Sequence, residues 1–142
     1  MTTIPTLNGQ VIGMTHYATR ALLERVLESL NLTFEQSVVL NVVASGDAPT
    51  PREQVVSRVT SGLKVSDAVA IAAVDGLAAS GVVSAGDDIA LTDQGAVVQR
   101  AIRGEIEAIT ARLYGDLPAD DLATAGRVLT TVTERANAML AG

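Results

Sequence analysis

Three side chains that can bind a small anionic molecule lie close together near the start of the sequence, namely His16, Tyr17 and Arg20. In a helix, His16 and Arg20 are one turn apart and share a face. An arginine pairs with a carboxylate, while histidine and tyrosine form directional hydrogen bonds. The trio therefore predicts a site for an anionic or phenolic ligand. The alternative for His16 is an exposed histidine, or one that is hydrogen-bonded to a partner chain.

The same trio also permits a catalytic interpretation, in which it supplies a general base and an oxyanion stabiliser. The chain has no cysteine and one histidine, which excludes disulfides, thiolate zinc sites and a multi-histidine metal site within one chain. It contains no glycine-rich phosphate loop and no nucleophile elbow. We therefore predict a binding protein without metal or cofactor, and an enzyme is the alternative.

Composition limits the class of protein further. Of the 142 residues, 48% are hydrophobic, which is enough for one domain with a sizeable core. No stretch approaches the roughly 18 uncharged apolar residues of a membrane helix, and the first ten residues do not resemble a signal peptide. A net charge of −6 argues against a protein that coats nucleic acid or anionic membranes. We expect a cytoplasmic protein.

Apolar spacing and turn residues predict six helices and one hairpin. Thr33 with Gln36, and Thr50 with Glu53, have the spacing of capping boxes at helix starts. Ser66 or Asp67 caps the fourth helix, and Thr92 caps the fifth. The predicted helices are 9–30, 34–44, 51–61, 66–80, 93–114 and 118–140, with a loop at 45–49 and hairpin strands at 82–83 and 89–91.

The order of these elements predicts a mainly α fold, a winged helix-turn-helix with a short two-stranded β-hairpin and flanking long dimerisation helices. The apolar stripes of the flanking helices need cover, which a second copy of the chain provides more simply than a monomeric bundle. The stripes contain Ala18, Leu22, Val26 and Leu30, widened by Ala21 and Leu23, then Val98, Ile102, Ile106, Ile109 and Leu113, then Leu122, Ala125, Leu129, Val132 and Ala136. The predicted segments are an N-terminal dimerisation helix (1–32), the winged helix-turn-helix (33–95) and C-terminal dimerisation helices (96–142).

Several short motifs occur in an order that resembles the MarR family of bacterial winged-helix regulators. They are Leu32-Thr-Phe-Glu-Gln36 before Val39-Leu40, Gly81-Val-Val before Leu91-Thr-Asp-Gln-Gly95, and the tail from Ile106 to Pro118 that leads to Leu129-Thr-Thr-Val. The resemblance covers about residues 9–140. It implies a homodimer that binds double-stranded DNA as a repressor or activator. It also implies a small aromatic or phenolic ligand between the dimer helices and the wing domain.

The resemblance assigns roles to particular residues. A pocket where the first, second and fifth helices meet would be faced by Gln36, Ser37 and Asn41, in addition to His16, Tyr17 and Arg20. Asn41 interrupts an apolar run, so that it is either a satisfied core amide or a pocket donor. On DNA, Arg52, Arg58 and Lys64 would anchor phosphates, while Ser66, Asp67 and Ala70 would approach base edges.

The charges of the winged segment depart from the family pattern. Residues 33–95 hold three basic and eight acidic side chains, and neither the wing (82–91) nor the helix 66–80 contains a basic residue. Phosphate contacts dominate protein–DNA affinity, so three cations per subunit offer a weak footprint. The alternatives to a DNA-binding regulator are therefore a ligand-binding or interaction module that has lost DNA binding, and an enzyme on the same scaffold that acts on a specialised metabolite.

Overall fold

A computed structural model of the chain describes residues 5–46 and 49–142. The helices are α1 (Gly9–Ser29), α2 (Phe34–Ala44), α3 (Arg52–Leu63), α4 (Asp67–Ala79), α5 (Asp93–Tyr114) and α6 (Ala119–Ala141), and the strands are β1 (Thr50–Pro51) and β2 (Asp88–Ile89). The predicted mainly α, winged fold class is confirmed. Residues 1–4, where the absence of a signal peptide was inferred, and residues 47–48 of the predicted loop lie outside the described residues.

Side-chain caps set the starts of α2 and α4 as the sequence predicts, and the Thr92 hydroxyl does the same for α5. Thr33 Oγ1 accepts a hydrogen bond from the Gln36 backbone N–H at 3.1 Å, and Gln36 Oε1 accepts one from the Thr33 N–H at 3.0 Å. The Ser66 hydroxyl caps α4 by accepting from the Val69 N–H at 3.4 Å. These bonds satisfy backbone donors that the first turn of a helix leaves without partners.

The second predicted capping box, at Thr50, is wrong. Thr50 and Pro51 form β1, which pairs antiparallel with β2, so that Thr50 lies opposite Ile89 and Pro51 opposite Asp88. Pro51 is the N-cap of α3 and provides no side-chain cap bond. Because α3 begins at Arg52, the cap position belongs to Pro51, and Thr50 lies one residue too early to take it.

The α3 helix is longer than predicted and ends at a left-handed residue. It runs to Leu63 and includes Gly62, which the sequence suggested as a turn. Lys64 then adopts φ 58° and ψ 43°, which stops the helix. Its ammonium group donates to the Ser61 carbonyl at 2.6 Å.

The wing follows α4 and differs from the predicted hairpin in how its strands pair. Val83 and Leu91 form a single antiparallel bridge, and the Ser84 N–H donates to the Ala90 carbonyl at 2.9 Å. The second arm also pairs with β1 through β2. The wing is therefore joined to the segment that leads into α3.

The described part of residues 1–107 forms one compact unit around an aliphatic core. The core takes Leu23 and Leu27 from α1, and also Leu30, the residue that follows this helix. The predicted stripe contained Leu23 and Leu30 but not Leu27, which is the most buried of the three. Leu22 and Val26 remain half-buried. The most buried core residues are Leu27, Val39, Leu40, Val55, Val59, Ala70, Val74, Leu77, Val83 and Ile89.

The start of α5 packs directly against the base of the wing. The Thr92 hydroxyl donates to the Gly81 carbonyl at 2.6 Å and accepts from the Gly95 N–H at 3.0 Å. Gly95 is buried, and a Cβ atom there would overlap the Val82 carbonyl oxygen. Only glycine permits this approach of backbone to backbone.

Residues 108–142 form a second compact unit that contains the end of α5 and the whole of α6. All 23 residues of α6 are described, and none of them is buried. Its predicted stripe is present but exposed, as Leu122, Leu129 and Val132 illustrate. Among the helices of the described residues, none combines the length and hydropathy needed to cross a membrane.

Candidate functional site

A cavity of about 340 Å³ opens between α1, α2 and α5 in the first compact unit. Its apolar lining comes from Leu23, Phe34, Val38, Ile102 and Ile106, and its polar lining from Ser37, Asn41, Gln99, Arg103 and Glu107. Apolar walls with a few polar groups are typical of small-molecule sites. The cavity lies where the sequence analysis expected a ligand site.

The wall that contains Phe34 is held by an arginine of α1. The Arg20 guanidinium lies 4.0 Å from the centre of the Phe34 ring, which is cation–π geometry. Arg20 Nε also donates to Glu24 Oε1 at 2.7 Å, and a terminal nitrogen lies 3.9 Å from Glu35 Oε1. Arg20 is thus engaged with the protein and is not among the cavity-lining residues.

His16 and Tyr17 are exposed side chains of α1, and Tyr17 has 72% of its surface accessible. Their rings lie 5.7 Å apart and are tilted by 57°. Neither residue lines the cavity. The structure therefore does not bring His16 and Tyr17 to the cavity that Ser37 and Asn41 line.

The three candidate residues of α2 have separate positions. Ser37 and Asn41 line the cavity, and Ser37 Oγ donates to the Phe34 carbonyl at 2.6 Å. Asn41 is exposed at this wall, so its environment is that of a pocket residue and not of a core amide. Gln36 lies outside the cavity lining, and its side chain completes the capping box of α2.

Gln99 is a cavity residue that the sequence analysis missed. It lies on the buried face of α5 with Gly95 and Ile102, and 9% of its surface is exposed. Its side-chain oxygen is buried and has no hydrogen-bond partner among the described residues. The sequence did contain a signal for this residue, because Gln99 is a polar residue beside the apolar stripe of its helix, just as Asn41 is a polar residue within an apolar run.

The surface that would face DNA consists of α3, α4 and the wing. Arg52 at the start of α3 forms an ion pair with Asp75 of α4, and its backbone N–H donates to the Asp87 carbonyl at 2.7 Å. The predicted phosphate anchor is therefore neutralised by a carboxylate of the predicted reading helix. Sequence spacing gave no sign of this pair, because the two residues lie on different helices.

The other predicted DNA contacts differ in accessibility. Arg58 is exposed and forms no ion pair within the described residues, and Lys64 is exposed as well. Ser66 is the N-cap of α4, and Asp67 is exposed beside it. The prediction that Ala70 approaches a base edge is wrong. Ala70 is fully buried (0% exposed) and faces the core, where no base can reach it.

A shallow groove between α3 and α4 shows the chemistry of this surface. Its lining includes Arg52, Glu53 and Asp67, with the exposed apolar side chain of Ile71. Two carboxylates and one paired arginine give this groove a net acidic character. Within the part of the chain that the structure describes, no cluster of histidine, aspartate and glutamate could hold a metal ion.

Solved structures with a similar fold exist, although the sequence itself matches no protein-family model and no curated protein. Among solved structures, transcriptional regulator PA3341 is 21% identical, with a TM-score of 0.76 over 89% of this chain and 96% of that one. CouR from Rhodococcus jostii RHA1, bound to p-coumaroyl-CoA, is 15% identical, with a TM-score of 0.73 over 87% of this chain and 90% of that one.

A third solved structure is the Mycobacterium tuberculosis MarR family protein Rv2887 in complex with DNA. It is 17% identical, with a TM-score of 0.70 over 90% of this chain and 98% of that one. The matches cover nearly the whole length of each chain. This chain therefore has the winged-helix fold of MarR family proteins, and the resemblance inferred from its motifs is confirmed at the level of the fold.

Proposed function

We propose that the chain is a homodimeric, DNA-binding transcriptional regulator that responds to a small molecule. The observation that carries the proposal is the cavity between α1, α2 and α5, which lies in the same compact unit as α3, α4 and the wing. A ligand in this cavity contacts elements that pack against α4, because α2 adjoins α4. Similar folds bind DNA in Rv2887 and p-coumaroyl-CoA in CouR.

The proposed homodimer rests on the exposed apolar surface of the second unit. None of the 23 residues of α6 is buried, so its apolar stripe is exposed to water. This exposure is unfavourable in free energy, and contact with a second copy of the chain would remove it. In this proposal, residues 1–32 and 96–142 supply the dimerisation helices and 33–95 the DNA-binding segment. The exposed His16 and Tyr17 would then face the partner subunit.

Phosphate binding is assigned mainly to Arg58 and Lys64, since neither is in an ion pair of the described residues. Arg52 also binds phosphate in this proposal, after its ion pair with Asp75 has broken. Base contacts are assigned to Ser66 and Asp67. A small aromatic or phenolic ligand is assigned to the cavity with Ser37 and Asn41, while ligand contacts by His16, Tyr17, Arg20 and Gln36 stay predictions.

Fluorescence anisotropy tests the regulatory function. The purified protein is titrated against the DNA that flanks its own gene and against a random duplex, at several salt concentrations. We expect tighter, salt-sensitive binding to the flanking DNA. In Arg58→Ala, affinity should fall about equally for both duplexes, and the salt slope should flatten by about two per dimer.

Arg100→Ala is the matched control, because it removes an exposed arginine outside residues 33–95. It should leave the salt slope unchanged. An unchanged slope in Arg58→Ala would remove Arg58 from the footprint. Failure of the wild type to bind either duplex at low salt would contradict the regulatory function.

That last outcome would favour a second candidate, a small-molecule-binding protein or enzyme on the same scaffold that no longer binds DNA. The Arg52–Asp75 ion pair supports this second candidate, because the arginine that was predicted to bind phosphate is already paired with a carboxylate of α4. The wing and α4 add no basic side chain. A computed surface potential would separate the candidates, since only the regulator needs a positive stripe across both wing domains.

A further inference from the structure

The exposed side of α4 has no side chain that donates a hydrogen bond. All residues of this helix are described, and the exposed ones are Asp67, Ala68, Val69, Ile71, Ala72, Asp75 and Ala79. Alanine, valine and isoleucine have no polar side-chain atom, and an ionised aspartate only accepts hydrogen bonds. The surface that α4 presents outside the core therefore consists of methyl groups and carboxylate oxygens.

The two largest apolar side chains of this surface do not belong to the core. Val69 is 41% exposed and Ile71 is 40% exposed, and together with Ala68 and Ala72 they form one continuous apolar patch. A continuous patch in water is unfavourable, so that packing within the chain does not explain it. The core takes other residues from α4, namely Ala70, Ala73, Val74 and Leu77.

The chemistry of the patch limits the bases that it can recognise. Under the proposed function α4 enters the major groove, because the second helix of a helix-turn-helix does so. Guanine and adenine are recognised there mainly by arginine, lysine, asparagine or glutamine, and α4 contains none of these residues. Cytosine presents a donor that suits Asp67. Thymine is the base that presents a methyl group, which an apolar side chain contacts.

Ile71 is better placed than Val69 to meet a base beside the proposed phosphate contacts. Ile71 lines the groove between α4 and α3, whereas Val69 lines a second groove beside the start of α2. The two cations that are outside the ion pairs of the described residues are Arg58 of α3 and Lys64, which directly follows that helix. A duplex that contacts these cations therefore lies on the Ile71 side of α4.

We infer that Ile71 is a specificity-determining residue of the surface formed by α3, α4 and the wing, and that it selects thymine by contact with the C5-methyl group. This inference rests on the DNA binding proposed above and names the base that such binding favours. The contact removes apolar surface of both partners from water. Because no charge takes part, the preference for thymine does not depend on salt, in contrast to the phosphate contacts.

Fluorescence anisotropy with two versions of the flanking duplex tests the inference. In the second version every thymine is replaced by uracil, which pairs with adenine in the same way and lacks only the methyl group. We expect the wild type to bind the natural duplex about tenfold more tightly than the uracil duplex, for one methyl contact in each subunit of a dimer. The ratio of the two affinities should be the same at low and at moderate salt.

Ile71→Ala should lower the affinity for the natural duplex to the value for the uracil duplex. It should leave the affinity for the uracil duplex and the salt slope unchanged, which distinguishes a lost methyl contact from a lost phosphate contact. Thermal melting should show a fold as stable as that of the wild type, because Ile71 is exposed. Ile71→Val keeps both branches at Cβ and should keep most of the preference.

Val97→Ala is the matched control, because it shortens an apolar side chain of α5 that is 58% exposed and lies outside residues 33–95. It should keep the full preference for the natural duplex. Equal affinities of the wild type for the two duplexes would overturn the inference and leave the regulatory function standing, as would a preference that survives in Ile71→Ala. Failure of the wild type to bind either duplex at low salt would overturn both.

Discussion

The cavity differs from the surface of α3, α4 and the wing, which is the DNA-facing surface of the proposed function, in how its polar groups are paired. On the DNA-facing surface, the Arg52 guanidinium is paired with Asp75 within the chain. In the cavity, the Gln99 oxygen has no partner among the described residues. The cavity therefore has an unmet hydrogen-bonding requirement, whereas part of the surface charge is already satisfied.

Under the proposed function, the ion pair on the DNA-facing surface has to open before Arg52 can bind DNA. A phosphate at Arg52 has to displace the Asp75 carboxylate, which then remains close to the duplex. Phosphate affinity depends on the number of cations that are free to release counterions, so the ion pair lowers the expected affinity for DNA.

Gly95→Ala should have the largest effect, because it disturbs the point where α5 meets the wing and so changes both regions at once. A methyl group there would overlap the Val82 carbonyl oxygen, which is backbone and cannot rotate away. We expect a loss of about 3 kcal/mol in the free energy of unfolding. Chemical denaturation followed by circular dichroism, at fixed protein concentration, measures it.

Gly104→Ala is the control for this substitution, since it lies on the same helix with no atom within 4 Å of the added methyl group. It should raise stability by about 0.5–1 kcal/mol through helix propensity. Equal effects of the two substitutions would show that the contact between Gly95 and the wing does not constrain the fold.

Asp75→Asn should weaken the contrast between the two regions by freeing Arg52. We expect affinity for the flanking DNA to rise about tenfold at low salt, and the salt slope to steepen by about two per dimer. Anisotropy titrations at several salt concentrations measure both quantities. Asp93→Asn removes the same charge from an exposed position at the start of α5 without releasing a paired arginine, so it should leave the slope unchanged. A slope that stays constant in Asp75→Asn would mean that Arg52 does not reach phosphate.

Gln99→Met should remove the contrast from the side of the cavity, because it deletes the unmatched oxygen. Removing a buried acceptor without a partner should raise the free energy of unfolding of the ligand-free protein by about 1 kcal/mol. Urea denaturation measures this gain, with Gln94→Met as the exposed control. A clear loss of stability would mean that the glutamine contributes to the fold through its amide.

Lys64→Gly should give the smallest change and should separate stability from DNA binding. Lys64 has a left-handed backbone at φ 58°, which glycine adopts without strain. Glycine also adds entropy to the unfolded chain, so the net rise in the free energy of unfolding should be about 0.5 kcal/mol. The lost cation should flatten the salt slope of DNA binding. Lys64→Ala loses the same charge but keeps the backbone strain, so it should flatten the slope without the gain in stability.

The sequence predicted the helical framework because its helix-start signals are local. The hydroxyl of Thr33 and the amide of Gln36 lie three residues apart, so their reciprocal capping can be inferred from spacing alone. The same holds for Ser66 at α4 and Thr92 at α5. The predicted position of the cavity, at the first, second and fifth helices, came from the family resemblance.

Interactions between distant segments were beyond prediction from spacing. Thr50 has the pattern of a helix cap, but pairing with Ile89 places it in a strand. Ala70 follows Ser66 by one turn on a helix that is apolar nearly all round, so its burial depends on how α4 is rotated against α2 and α3. The contacts of Arg20 with α2 and of Arg52 with α4 were hidden for a related reason, since a charged side chain on one helix does not reveal which neighbour it will meet on another. The pair of Arg20 with Glu24 is different, because it joins residues four apart on one helix and spacing alone could have predicted it.

The short pairing of β1 with β2 bears on the length of DNA that such a protein would recognise. Thr50 and Pro51 lead directly into α3 and pair with the wing at Asp88 and Ile89. Under the proposed function, the wing and the helices beside it meet the duplex at a separation that this pairing fixes. Each half of an operator would then have an invariant internal spacing, and any tolerance for inserted base pairs would lie between the two halves, where one subunit ends and the other begins.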